Sequence, residues 1–182
     1  MTAIDLQPTL TDGDIRLRPL QAEDWQPLYA VASDPLIWAV HPAHDRWQEP
    51  VFRAFFDDAL RSGGALAITR TATDEIIGSS RFDRARAGEG EVEIGWTFLA
   101  RSEWGGPVNF AVKRLMIGHA LRFFERVIFV IGKDNVRSRR AVEKIGAKLT
   151  ERTLDVPMTG SKAPHVVYAI DRADFASGPL SA

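Results

Sequence analysis

The chain has 182 residues, of which 45% are hydrophobic and 26% charged, with a formal net charge of −1. This describes one domain with material for a single sizeable core. The near-neutral charge excludes the electrostatic footprint of a non-specific nucleic-acid or membrane-surface binder, and the apolar runs fall short of a transmembrane helix. Cysteine is absent, which excludes disulfides, Cys-ligated zinc and a Cys nucleophile. The four histidines, at 41, 44, 119 and 165, lack the spacing of a helical zinc site, and no G-x-S-x-G elbow or Walker P-loop occurs. No metal is therefore expected. Met1–Pro8 lacks the basic and apolar segments of a signal peptide, so a cytoplasmic location is the expectation.

Along the chain, Ile15-Arg16-Leu17-Arg18-Pro19-Leu20 alternates with period two and predicts a first strand. Ala22–Ala32 reads as a helix with Glu23 and Asp24 at its positive end and a kink at Pro27. Leu36–Gln48, which carries Trp38, His41, His44 and Trp47, reads as an ordered loop or short helix. Pro50–Arg61 is a second helix, ended by Gly63-Gly64. Ala65–Thr71, Glu75–Arg84 and Gly90–Ala100, joined by short links, predict an antiparallel meander. Pro107–Phe124 has apolar residues at helical spacing; His119 falls on that stripe and reads as a hydrogen-bonded core histidine. Val127–Ile131 is a strand buried on both faces, so Gly90–Ala100, the helix and Val127–Ile131 form a strand–helix–strand unit with parallel strands. Val136–Ile145 is a further helix, Ala147–Leu154 and His165–Ile170 a closing strand pair, and Ala176–Ala182 a frayed tail.

Two segments carry chemistry. Arg101-Ser102-Glu103-Trp104-Gly105-Gly106-Pro107 joins a strand to the start of the long helix. Its glycines allow a ligand close to the backbone, and the helix end favours an anion such as a pyrophosphate; a plain tight turn explains the same residues. The second segment, Asn135–Gly146, follows a buried strand and opens a helix. Asn135 stands where a cap belongs, and Ser138 is on the inward side of the helix. Local explanations are that Asn135 only caps and Ser138 bonds the backbone.

Asn135-x-x-Ser138 followed by Glu143-Lys144-Ile145-Gly146 resembles the Asn-x-x-Ser…Glu-Lys-hydrophobic-Gly motif of the RimJ/RimL-type branch of the GNAT superfamily. Arg16–Leu20 and Glu93-Ile94-Gly95-Trp96 are similar to that branch's opening and central strands, and the likeness runs over Ile15–Ile170. It implies an α/β fold with a mixed sheet of about seven strands, roughly four helices and a splayed parallel strand pair. The division it implies is an N-terminal extension over 1–14, the acetyltransferase domain over 15–175 and a tail over 176–182. One departure stands out: where the branch's phosphate turn reads Arg/Gln-x-x-Gly-x-Gly/Ala, this chain has Ser102 at the basic position and Pro107, which has no N–H, at the second glycine.

The activity so implied is direct acetyl transfer from acetyl-CoA to a primary amine, with a protein or peptide N-terminal amine favoured. A small-molecule amine and a non-catalytic acyl-CoA-binding module are the alternatives. The cofactor-binding residues implied are Trp96, Thr97, Phe98, Trp104, Gly105, Gly106, Val108, Asn109, Asn135, Arg137, Ser138 and Arg140. Ser138 would donate to the departing thiolate, Asn135 would orient the coenzyme arm or a water, and Glu93 would act as base with Glu91 as fallback. A solvent-facing carboxylate is the plainer reading of Glu93. Trp38, His41 and Trp47 would line the acceptor site. The partner expected is the acceptor amine, with no nucleic acid and no membrane; a homodimer is left open.

Overall fold

In the computed structural model, which describes residues 4–158 and 161–181, β-branched and alternating segments assemble into one mixed sheet of eight strands. In chain order these are β1 (Leu10–Asp12), β2 (Ile15–Pro19), β3 (Ala65–Arg70), β4 (Ile76–Asp83), β5 (Glu91–Leu99), β6 (Arg126–Gly132), β7 (Lys148–Met158) and β8 (Ser161–Asp171). The spatial order is β1-β2-β3-β4-β5-β6-β8-β7. Only β5 and β6 run parallel, and they are joined through α4 (Val108–Ala120), as the strand–helix–strand pattern predicts.

The sheet is covered on both faces. In β3, Leu66 and Ile68 point into the core beneath α4, while Ala65 and Ala67 point into a second core. That second core packs α1 (Trp25–Ala32), α2 (Pro35–Trp38) and α3 (Glu49–Ser62) on the opposite face. It is built on stacked and edge-on aromatic contacts among Trp25, Tyr29, Phe52, Phe56 and Phe98. In β6, Val127, Phe129 and Ile131 face the α4 core and Ile128 the other side, so the strand is buried on both faces. The α5 helix (Val136–Lys144) follows β6, and α6 (Arg172–Ser177) follows β8.

Several expectations change. Residues 10–12, assigned by sequence to an extension, form β1, which pairs with β2, and Ile4, Leu6 and Leu10 pack on the core; three residues were too short a run to show periodicity. Residues 1–3 of that extension lie outside the described residues. Within the expected frayed tail, Leu180 is only 2% exposed and belongs to the α4 core, while Ala182 lies outside the described residues. Pro27 does not kink a helix: Ala22–Asp24 is a separate 3₁₀ turn, α1 begins at Trp25, and Pro27 falls in its first turn, where a missing N–H costs nothing. The closing hairpin is longer than the apolar pattern suggested, because β7 and β8 stay paired as far as Met158↔Ser161. His119 is half-buried, with Nε2 2.8 Å from the Asp5 carbonyl.

Close backbone approach matters most at Gly78, where an added Cβ would lie 2.2 Å from the Phe98 carbonyl oxygen. The clash is with backbone, so β4 and β5 would have to separate. Gly78→Ala is expected to lower stability by about 1–3 kcal/mol, measured by urea denaturation.

Candidate active site

The site originates in a fault in the sheet. Ser79 of β4 pairs with Phe98 and Arg81 with Gly95, so the single residue Ser80 opposes both Trp96 and Thr97 of β5. This is a β-bulge, and Trp96 takes φ 52°, a left-handed conformation that a bulky residue rarely adopts. The guanidinium groups of Arg81 and Arg86 lie 4.2 and 4.6 Å from the Trp96 ring centroid and hold it there. The extra residue switches the strand's facing: Ile94 and Leu99 point into the α4 core, Phe98 into the other. It also ends the parallel ladder. β5 and β6 pair only at Glu91↔Arg126, Val92↔Val127 and Glu93↔Ile128, whereas β6 stays on β8 as far as Gly132↔His165. Beyond Glu93 the two strands part around a cleft of about 660 Å³ lined by Ile94–Leu99, Phe129–Gly132 and the first turns of α4 and α5.

At the mouth of the cleft lie Trp104, Gly105, Gly106 and Asn109, with Gly105 at φ 74°. Pro107 caps α4, so its missing N–H falls where a helix needs none. The Val108 side chain is buried in the core, which leaves only its backbone amide for a ligand. Arg140 is exposed and lines the cleft; Arg139 instead donates to the Tyr168 hydroxyl and the Lys133 carbonyl, away from it. Arg137 donates to the Leu36 and Ile37 carbonyls and stacks 4.3 Å from the Trp104 ring, tying α5 to α2 and to the glycine turn.

Asn135 and Ser138 come together at the base of α5. Asn135 is 3% exposed and its Oδ1 accepts the Ser138 amide at 3.2 Å, the capping bond that the spacing predicts. The Ser138 hydroxyl is not spent on the backbone: it meets no hydrogen-bond partner among the described residues and lines the cleft.

Glu93 departs from both readings. It is fully buried rather than solvent-facing, and it does not line the cleft. Arg86 holds both of its oxygens, at 2.9 and 2.5 Å. Burial pushes its carboxyl up to about 7, against the pull of Arg86. It stands behind Gly95, where an added Cβ would lie 2.8 Å from Glu93 Oε1. A direct role as base is thus not supported by geometry. Glu91 is buried too; burial raises its pKa, but hydrogen bonds from Arg152 and the Gly88 amide outweigh this and hold the carboxyl low.

On the opposite side, Trp38 and His41 line the cleft, while Trp47 is 40% exposed and does not. Gly132 lets Pro42 pack on the end of β6, since a Cβ there would meet Pro42 at 2.6 Å. This seats His41 near His165 of β8, and both line the cleft. His41 Nδ1 accepts the Ala43 amide at 2.9 Å, so its proton is on Nε2; His165 Nδ1 donates to the Ala163 carbonyl at 2.8 Å, leaving Nε2 as an acceptor. Burial, aided by the nearby Arg46, lowers the His41 pKa to about 3, and burial lowers that of His165.

Arg46, Lys113 and His165 are among the cleft residues that the sequence reading does not assign to the site. Lys113 of α4 is 4% exposed, donates to Thr97 Oγ1 at 2.7 Å, and through it joins Ser80 Oγ, 2.7 Å further on. Its position among Val112, Met116 and Ile117 was the available signal. Burial lowers its pKa from 10.5 to about 7. The unfolded chain therefore binds a proton that the folded chain has shed between those values. This burden on stability is greatest at pH 7 and below, and gone above pH 10.5. Lys113→Met is expected to raise the melting temperature at pH 7, with a gain that shrinks as the pH approaches about 10, checked by thermal unfolding of both proteins across that range.

Residues 14–148 match the family model of the acetyltransferase (GNAT) domain. A T. thermophilus chain assigned as an acetyltransferase is 26% identical, with a TM-score of 0.73, over 96% of this chain and 94% of that one. A GCN5-related N-acetyltransferase from Brucella melitensis has a TM-score of 0.76 at 20% identity, over 94% and 81%. Mycobacterium smegmatis RimJ, solved in complex with CoA-disulfide, has a TM-score of 0.69 at 17% identity, over 96% and 90%. No curated protein matches the sequence. The match over most of the chain, on a sheet whose parallel pair parts at a bulge, makes this protein a member of the GNAT acetyltransferase family.

Proposed function

We propose that this acetyl-CoA-dependent N-acetyltransferase acts on an α-amine, such as the N-terminus of a peptide or protein, by direct transfer within the cleft. The observation that carries this reading is the RimJ/RimL-type run Asn135–Gly146, which opens on the cleft with the Ser138 hydroxyl unspent, and the weak basicity of the cleft wall agrees with it. An attacking amine must be neutral. At pH 7.5 roughly a quarter of an α-amine is neutral, against about one part in a thousand of a lysine side chain. His41, lowered to about 3, and His165, also lowered, are too weak to deprotonate a lysine. Lys113, at about 7, is matched to an acceptor near 8 and not to one above 10. The RimJ/RimL-type motif over Asn135–Gly146 supports the same substrate class.

The unpaired edge of β5 beyond Glu93 suits the amide-bearing arm of the coenzyme, and the amides of Gly105, Gly106, Val108 and Asn109 suit its phosphates, with Arg140 beside them. A backbone N–H of Trp96–Phe98 would polarise the thioester carbonyl. The neutral amine's nitrogen bonds to the carbonyl carbon, the carbon–sulfur bond breaks with its electron pair going to sulfur, and the proton released from the nitrogen passes to solvent, so that amide and coenzyme A thiolate are the products. The Ser138 hydroxyl, free of the backbone, donates to the departing thiolate, and Asn135 fixes the helix turn that presents it. With no cysteine in the chain, the acetyl group has no thiol on which to pause.

Acetyl-CoA is expected to raise the melting temperature by mass action, with EDTA without effect. An acceptor panel read by coenzyme A release and mass spectrometry should show peptides with a free N-terminus acetylated at the α-nitrogen. Binding without turnover of any amine would mark a non-catalytic module, and turnover of polyamines alone would overturn the α-amine reading. Ser138→Ala should lower kcat by about one to two decades, the loss of one hydrogen bond to a charged group, while acetyl-CoA affinity holds because that charge forms only during reaction. Unchanged kcat in single-turnover measurements would make the serine structural.

A further inference from the structure

The cleft wall contains a cation that forms no ion pair among the described residues, the neighbouring Asp45 acting on it only at a distance. Arg46, in the segment between α2 and α3, has its guanidinium carbon 4.5 Å from the Phe55 ring centroid and 5.2 Å from that of Trp38. The rings brace the plane of the group but satisfy none of its five N–H donors, which lie at its edge. Among the described residues its side chain forms no ion pair and no hydrogen bond, and it lines the cleft. The neighbouring arginines differ. Arg81 pairs with Asp58 and Asp83, Arg86 with Glu93, and Arg101 with Asp34. Arg137 is held by backbone carbonyls.

The surroundings make this cation available to a ligand. His41 and His165, which share the wall, are both neutral and bring no competing charge. Glu103, the carboxylate that lines the cleft, is at the glycine-turn end and is taken by Arg70 at 2.6 Å. Burial lowers the Arg46 pKa to about 10, opposed by Asp45 and reinforced by Arg81, so the group stays charged at neutral pH. A planar cation set in a partly buried wall with its donors unspent matches a carboxylate, which can take two of them side by side. Arg46 packs with Trp38 and Phe55, the residues around Phe98 on the α1–α3 face of β5, whereas the phosphate-type features lie at the first turn of α4.

We infer that Arg46 is a specificity-determining residue that binds a carboxylate carried by the acceptor, so that the preferred substrate is an amine bearing a carboxylate near its nitrogen. Two sources offer this chemistry: the free carboxyl group of an amino acid, or an acidic side chain beside a peptide's N-terminus. A cationic acceptor is disfavoured by the same residue. The inference rests on the α-amine reading above.

The test uses matched amines: phenylalanine against phenylalaninamide, and a C-terminally amidated Ser-Asp peptide against its Ser-Asn twin. The expected result is a kcat/KM, counted per neutral amine at the measured pKa of each acceptor, about ten- to a hundredfold higher for the carboxylate member of one pair, the effect of one charge-assisted hydrogen bond. The favoured pair identifies the source. Arg46→Gln should bring that ratio close to one and Arg46→Lys should retain part of it, with acetyl-CoA affinity unchanged in both. Equal use of both members of each pair by the wild-type enzyme would overturn the inference without needing a variant. So would a ratio that survives Arg46→Gln, or a loss of acetyl-CoA affinity in place of the ratio, which would assign Arg46 to the coenzyme. If none of the four amines is acetylated, the α-amine reading fails separately. Calorimetry of the CoA-loaded protein with N-acetylphenylalanine and its amide then decides: an Arg46-dependent preference for the acid upholds the carboxylate site, and its absence overturns it.

Discussion

One extra residue in β5 is the constraint on which the site depends. Two parallel strands linked by a helix ordinarily stay paired along their length, and β6 has partners available on both sides. The bulge opposite Ser80 rotates β5 out of register and places Trp96 at φ 52°, a conformation that costs of order 1–3 kcal/mol. The rest of the fold overrides this local preference. β4 holds β5 on both sides of the bulge, at Phe82↔Ile94 and at Gly78↔Leu99, with Gly78 close under the Phe98 carbonyl. Arg81 and Arg86 close on the indole, and each is fixed by a carboxylate from elsewhere, Asp58 on α3 and Glu93 on β5. The strain is therefore held by contacts on the α1–α3 face, and its result is an unpaired strand edge in the wall of the cleft.

Those contacts also explain where the ionisable groups stand. Glu93 binds Arg86, and Arg86 binds the strained indole, so the carboxylate contributes to cleft shape and not to proton transfer. Lys113 reaches the same bulge from the other face through Thr97 and Ser80. The bulge is thus gripped by cations on both sides. Those on the α1–α3 face carry carboxylate partners, and the one on the α4 face, its pKa lowered to about 7 by burial, carries its charge only in part at neutral pH.

What could be read from the sequence follows from what is local. The capping geometry of Asn135 and Ser138, the glycine turn before α4 and the strand–helix–strand unit are set within a few residues of each other, and the chain states them directly. The bulge is not local: Glu93-Ile94-Gly95-Trp96 alternates as a regular strand would, and only the register against β4 exposes the extra residue. The burial of Glu93 is hidden for a related reason, because alternation says which side a residue faces but not that Arg86 covers that side. Arg46 and Lys113 were missed because charged residues are nearly always solvated. Their burial is a property of Trp38, Phe55 and Phe129, which lie far along the chain or on other elements.

The two ends of the cleft are mechanically joined. Arg137, on the first turn of α5 next to Ser138, donates to the carbonyls of Leu36 and Ile37 at the end of α2 and stacks on Trp104 of the glycine turn. Trp38, the next residue of α2, packs on Phe98 and braces Arg46. Arg137 therefore fixes the glycine turn, the start of α5 and the end of α2 relative to one another. The same side chain can do this because its five donors and flat face allow two carbonyl bonds and a stacking contact at once, which a lysine at position 137 could not provide.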